Sequence, residues 1–185
     1  GLRHRHILSV GCERSFLVNL DENENYTGHS AQGDCAAGTG GFMDQQAHRL
    51  GLDPGGLADM AKNHEGPVPT IATRCAVFAK SDIIHAQAAG YTPSGIAAGL
   101  CRGMARSIVS SSTQGRELDG SLLFVGGVSK NRAIVNALSE LFGQDIEVPE
   151  NAVFWNAMGA ALMAERPFSD LVLLSEASAI SRNAR

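Results

Sequence analysis

Apolar and polar positions follow a short period at the start of the chain and a longer one further on. Ile7 to Val10 and Ser15 to Leu20 are short β-branched and apolar runs broken by Gly11, and Asp21-Glu22-Asn23 makes a polar turn. This pattern predicts a β-hairpin, with Tyr26 to Gln32 as a third strand ended by Gly33-Asp34. The period then becomes helical. Phe42, Ala47 and Leu50 fall on one helical face that stops at Gly51, and Asp53-Pro54 supplies a cap and a first helical residue for a short helix over Leu57 to Lys62. A third helix is predicted from about Cys75 to Ala89, ending at Gly90, and a fourth from the Thr92 cap and Pro93 to about Thr113. In the fourth, Ile96, Leu100, Met104 and Ile108 recur every four residues beside a parallel stripe of Gly95, Gly99 and Gly103. Such a stripe lets another element approach closely, so this helix is expected to be central and buried.

Ser121 to Val125 reads as a continuous apolar strand, Ser129 to Phe142 as an amphipathic helix, Ile146 to Val148 as a short strand and Ala152 to Glu165 as a last helix. Strand, helix, strand, helix implies parallel pairing with helices on the faces of the sheet. The expected fold is therefore α/β, a three-strand meander followed by a βαβα half in one mixed sheet. Residues 1–165 form the expected domain. Residues 166–185 make a tail without clear period, in which Leu171 to Leu174 is a candidate docking segment.

Composition narrows the classes. The 185 residues are 44% apolar and 18% charged, with a formal net charge of −4, against a usual charged fraction of about 25%. This argues against a basic nucleic-acid surface or a polybasic membrane patch. No apolar run approaches the ~20 residues of a membrane span and no signal-peptide core opens the chain, so a cytoplasmic location is expected. The chain opens on Gly1 with a strand under way by Ile7, and is expected to be a piece of a longer protein. Cys12, Cys35, Cys75 and Cys101 are too few and too far apart for a disulfide framework, which leaves reduced thiols as the expectation.

Two of these thiols have an informative setting. Asp34-Cys35-Ala36-Ala37-Gly38-Thr39-Gly40-Gly41-Phe42 places a cysteine and three glycines at a strand-to-helix junction. Glycines such as Gly38 and Gly40 let backbone approach a ligand, and the helix start is expected to offer unpaired N–H groups that favour an anion, a thiolate included. The alternative is a small residue buried at a tight turn. Cys75 also falls at a helix start. Two thiolates do not suffice for an iron–sulfur cluster, which normally takes four, but Cys35 and Cys75 contributed twice across a dimer axis complete the set. Cys12 and Cys101 read instead as small hydrophobes.

Val125-Gly126-Gly127-Val128-Ser129-Lys130-Asn131 is a strand, a diglycine turn and a capped helix start. That arrangement suits a nucleotide held against backbone N–H groups, with Gly126, Gly127, Ser129 and Asn131 as candidates, although many such turns exist for packing alone. No Walker A, HExxH or GxSxG pattern is present. His4 and His6 fall in the end segment, and His48, His64 and His85 read as solvated residues.

The motifs Cys35-Ala-Ala-Gly-Thr-Gly, Arg74-Cys75-Ala-Val-Phe-Ala, Phe124-Val-Gly-Gly-Val-Ser-Lys-Asn and Asn156-Ala-Met-Gly-Ala-Ala-Leu, in this order and spacing, resemble the BadF/BadG/BcrA/BcrD ATPase family. These are the activator ATPases of 2-hydroxyacyl-CoA dehydratases and benzoyl-CoA reductases, within the actin and sugar-kinase clan of ribonuclease H-like folds. The resemblance runs from about His6 to Glu165. It implies a homodimer holding one [4Fe-4S] cluster through Cys35 and Cys75 of each subunit, with Gly126, Gly127 and Asn131 near the adenosine. It further implies ATP or ADP with Mg as cofactor, and ATP-driven transfer of a low-potential electron to a CoA-ester dehydratase or reductase.

The chain also departs from the family pattern. It resembles the second of the clan's two lobes only, which implies poor ATP hydrolysis in isolation. Ser9-Val10-Gly11-Cys12-Glu13-Arg14 stands where the family has an Asp-x-Gly-Gly-Gln-Asp phosphate loop, leaving the carboxylate missing or displaced to Glu13. Asp34, Gly41 and Lys80 replace a basic, a basic and an acidic family position. Two alternatives therefore stand beside the activator reading: a noncatalytic actin-clan module of a larger protein, and a kinase lobe of the same clan.

Overall fold

Five short strands pair into one mixed sheet in the order β3-β2-β1-β4-β5. The computed structural model describes residues 4–31, 39–73 and 75–164. Strands β1 (His6–Val10), β2 (Ser15–Leu20) and β3 (Tyr26–Ala31) form the expected antiparallel meander, with a bulge between Asn19 and Leu20. Strand β4 (Leu122–Val125) lies parallel to β1, pairing His6 with Leu122 and Ser9 with Val125, and β5 (Ile146–Glu147) lies parallel to β4. All four β4 residues are buried, as expected for a strand covered on both faces. The edge strand β3 alternates mostly exposed side chains with a buried Ser30.

The helices are α1 (Gly40–Arg49), α2 (Pro54–Lys62), α3 (Ala76–Ala88), α4 (Pro93–Thr113), α5 (Arg132–Phe142) and α6 (Trp155–Ala164). Asp53 caps α2 by accepting from the Gly56 N–H at 2.6 Å, and Thr92 caps α4 by accepting from the Gly95 N–H at 3.1 Å. Both proline-led starts are thus built as the sequence implies. Helix α4 packs against α2, α3 and α5 and against β2 and β3. Ile96, Leu100, Met104 and Ile108 are all buried along it.

The glycine stripe of α4 seats the irregular segment 67–73. A Cβ on Gly99 would come within 2.6 Å of the Pro69 carbonyl, and one on Gly103 within 2.8 Å of the Ile71 carbonyl and 2.6 Å of Thr73 Cγ2. The close approach expected from the stripe is therefore real, and its occupant is the segment that leads into Cys75.

Two helix starts and the setting of His64 are corrected. The helix predicted from Ser129 begins at Arg132, because a 3-10 turn at Gly127–Lys130 precedes it and the Asn131 Oδ1 accepts from the N–H groups of Ala133 and Ile134 at 3.1 and 3.2 Å. The last helix likewise follows a 3-10 turn at Ala152–Phe154. His6 is a buried residue of β1, its ring nitrogens 2.8 Å from Asn19 Oδ1 and 2.9 Å from the Asp119 carbonyl. Of the other helix and loop histidines, His48 and His85 are exposed, while His64 is half-buried and hydrogen-bonded to Ser94 Oγ at 3.0 Å.

The chain divides into two compact units, Gly1–Val153 and a second beginning at Phe154 that contains α6. Gln32 and the segment 165–185, with Leu171 to Leu174, lie outside the described residues. Among the described residues no helix is long and apolar enough to cross a membrane.

Candidate functional site

The carboxyl ends of β1 and β4 open onto a cleft of about 370 Å³. One wall is Gly11 and Cys12 of the β1–β2 turn together with Gly40, Met43 and Asp44 of α1. Pro54, Gly55, Leu57 and Ala58 of α2 form a second wall, and Gly127, Val128, Lys130, Asn131 and Ile134 a third, with Val153 at the side. Crevices at the carboxyl ends of parallel strands are where α/β sheets bind ligands.

The two glycines after β4 do different work. Gly126 has φ of +93°, its N–H donates to the Ala152 carbonyl at 2.8 Å, and a Cβ there would strike the Val10 carbonyl. It therefore exists to bring the chain past the end of β1. A Cβ on Gly127 would meet nothing within 4 Å, and Gly127 lines the cleft. Ser129 is buried and its Oγ donates back to the Gly126 carbonyl at 2.7 Å, so it holds the turn and does not line the cleft. Asn131 lines the cleft, but its side chain is committed inward. Its Oδ1 caps α5 and its Nδ2 donates to Cys101 Sγ at 3.6 Å.

The start of α1 differs from expectation. Its first N–H groups are paired: Gly40 N–H donates to the Gly11 carbonyl at 2.8 Å and Gly41 N–H to the Cys12 carbonyl at 2.7 Å. A Cβ on Gly41 would come within 2.9 Å of the Cys12 carbonyl. These glycines clamp the helix to the hairpin turn, and their amides are not free for an anion. Cys12, expected to be a small hydrophobe, is exposed and lines the cleft. Glu13 is exposed and does not line it. The carboxylate that does is Asp44, which sequence reasoning missed along with Lys130; Asp44 is one helical turn after Gly40, so it shares that residue's face, and this is the signal that marks it.

Cys75 is half-buried and occupies the N-cap position of α3, with φ −143° and ψ 126°. Its side chain makes no capping hydrogen bond, yet the backbone N–H of Phe78 first, and of Val77 second, hold its thiol below the usual cysteine range. Val77 and Phe78 beside it are 69% and 65% exposed, an apolar surface at the thiol that suits a protein contact. Cys101, on α4, is 1% exposed, and burial pushes its thiol up to about 12, with the Asn131 amide opposing the shift. Cys101 is thus a packed core thiol, as expected, whereas the setting of Cys75 favours its thiolate form. Cys35, Gly38, Asp34 and Arg74 lie outside the described residues. Among the described residues no group of three or more His, Cys, Asp or Glu is arranged to hold a metal.

Sheet, diglycine turn and cleft are those of an actin-like ATPase fold. The solved structure of the activator of the 2-hydroxyisocaproyl-CoA dehydratase from Clostridium difficile with bound ADPNP matches with a TM-score of 0.79 at 27% identity, over 98% of this chain and 64% of that one. The model of the BadF/BadG/BcrA/BcrD ATPase family matches residues 3–164, and the chain belongs to that family. It is 33% identical over 158 residues to the (R)-2-hydroxyglutaryl-CoA dehydratase activating ATPase of Acidaminococcus fermentans, covering 85% of this chain and 60% of that protein. Against the 2-hydroxyisocaproyl-CoA dehydratase activator of Clostridioides difficile it is 31% identical over 160 residues, 86% of this chain and 59% of that one. The chain thus spans about three fifths of the length of these relatives.

Proposed function

We propose that this chain is the cluster-carrying lobe of an ATP-dependent activator that delivers a low-potential electron to an enzyme of the 2-hydroxyacyl-CoA dehydratase or benzoyl-CoA reductase type. The observation that carries the reading is Cys75, a thiol at a helix start with lowered pKa and an exposed apolar collar. Two such subunits, each contributing Cys75 and Cys35, hold one [4Fe-4S] cluster between them, which supplies one-electron transfer when bound. The Phe78 and Val77 amides stabilise the thiolate form of Cys75 that ligation requires. The Val77–Phe78 surface supports the homodimer by excluding water around that thiol.

The cleft takes the nucleotide in this reading. Among the described residues Lys130 is the only basic side chain lining it, and it supplies charge toward the phosphates; Asp44 supplies a carboxylate, and Met43, Leu57 and Ile134 an apolar surface for the base. Gly127 leaves open space where a side chain would intrude. Hydrolysis with Mg belongs to the longer protein, in which a further lobe closes over this cleft.

Anaerobic reconstitution with iron and sulfide, followed by iron quantitation and a mass measurement on the same sample, tests the reading. One cluster per dimer, lost in Cys35→Ala or Cys75→Ala and kept in Cys101→Ala, is the expected result. A protein that stays colourless and iron-free even as a dimer would refute it and favour the noncatalytic module.

A further inference from the structure

Cys75 is preceded by two anchors on different helices. Thr73 is 5% exposed, and its Oγ1 lies 2.7 Å from the Gly103 carbonyl and 2.7 Å from Ser107 Oγ, both on α4. A carbonyl only accepts, so the Thr73 hydroxyl donates to Gly103 and receives the Ser107 proton. Its Cγ2 fills the space that a side chain at Gly103 would take. One residue earlier, the Ala72 N–H donates to Asp82 Oδ2 of α3 at 2.8 Å. The segment is thereby held to the core helix by Thr73 and to the helix that Cys75 caps by Asp82.

We propose that Thr73 is a positioning residue for Cys75, fixing through α4 where the thiol stands, with Asp82 as the second anchor. The role follows from geometry. Thr73 is two residues from the thiol, too close in the chain for a displacement of one to leave the other in place. Its bond to the Gly103 carbonyl is buried and that to Ser107 partly so, and loss of the buried one is not made up by solvent. A side chain of similar shape without the hydroxyl preserves the packing and removes only the bonds. The proposal rests on reading Cys75 as a cluster ligand, but the placement of the segment is measurable without iron.

The test compares the chain with Thr73→Val, Thr73→Ser and Asp82→Ala. In iron-free protein, hydrogen exchange of the backbone over residues 70–79 is followed by mass spectrometry. In reconstituted protein, the rate of iron loss to a chelator is measured. Labelling of buried Cys101 reports global opening in both. Thr73→Val is expected to speed exchange of the segment and iron loss by about fivefold, the equivalent of one net hydrogen bond. Thr73→Ser, which keeps the hydroxyl, returns both rates to within about twofold of the parent, and Cys101 labelling stays unchanged. Segment exchange and iron loss at the parent rate in Thr73→Val would overturn the proposal. If the parent holds no iron, the ligand reading fails, while the exchange rates still decide the positioning role. If Thr73→Val exposes Cys101, Asp82→Ala, which removes the acceptor for the Ala72 N–H and leaves the α4 bonds intact, carries the same comparison: faster exchange confined to the segment supports the two-anchor geometry, and unchanged exchange overturns it.

Discussion

The amide nitrogen of Asn131 lies 3.6 Å from the sulfur of Cys101, while the oxygen of the same amide accepts from the first N–H groups of α5. One side chain thus ties the start of α5 to the middle of α4. Asn131→Ala is expected to lower stability by about 1–2 kcal/mol, the usual cost of a lost N-cap. Asn131→Asp keeps the acceptor and recovers most of it. Urea denaturation of the three proteins checks this, and equal midpoints for Asn131→Ala and the parent would contradict the cap.

Cys101 makes stability sensitive to alkaline pH. Its thiol is raised from 9.0 to about 12 in the folded chain, so the unfolded chain gives up this proton first as pH rises. The contribution is fully present below about pH 9 and is lost between there and the folded value, an effect on the order of a few kcal/mol across the window. Other groups titrate there too, so the informative quantity is the difference between parent and Cys101→Ala. That difference is expected to shrink or reverse from pH 8.5 upward, and a constant difference would remove the buried thiol as the cause.

The neighbouring glycines of the turn after β4 are expected to respond oppositely to alanine. Gly126→Ala meets both a left-handed φ and the Val10 backbone, and should cost at least about 2 kcal/mol. Gly127→Ala points into open space and should change stability by no more than about 0.5 kcal/mol. Thermal unfolding of the two variants separates them.

Thiol reactivity offers a test of the helix start. Cys75 is lowered from 9.0 by the Phe78 and Val77 amides, so its alkylation, followed by peptide mapping against pH, should reach half its limiting rate below the midpoint of the same cysteine in urea. Coincident midpoints in the folded and unfolded chain would show that those amides do not act on the sulfur.

Much of this was readable in advance. The order of strands and helices follows from period and punctuation, and α4 in particular from its cap, its four-residue apolar repeat and its glycines. The break at Lys130 was not, because a 3-10 turn and an α-helix share early spacing, and only the inward commitment of Asn131 separates them. The cleft wall formed by Met43, Asp44 and Leu57 depends on how α1 and α2 pack together, a long-range relation that no local pattern encodes. The exposure of Cys12 has a related cause: the turn clamps α1 through the Gly11 and Cys12 carbonyls and leaves the thiol at the cleft. The buried ring of His6 depends on Asn19 and Asp119, which lie 13 and 113 residues away in the chain.

The three glycines of α4 also bear on how this protein reaches its native state. Each lowers helix propensity by about 1 kcal/mol relative to alanine, so the 21-residue segment is a poor helix by itself. Its order is supported by the stretch from Pro67 to Thr73, which lies in the groove that those missing side chains leave. The central helix and the approach to Cys75 therefore depend on each other for their order, and a substitution that fills the groove would disturb both the core and the backbone leading to the thiol.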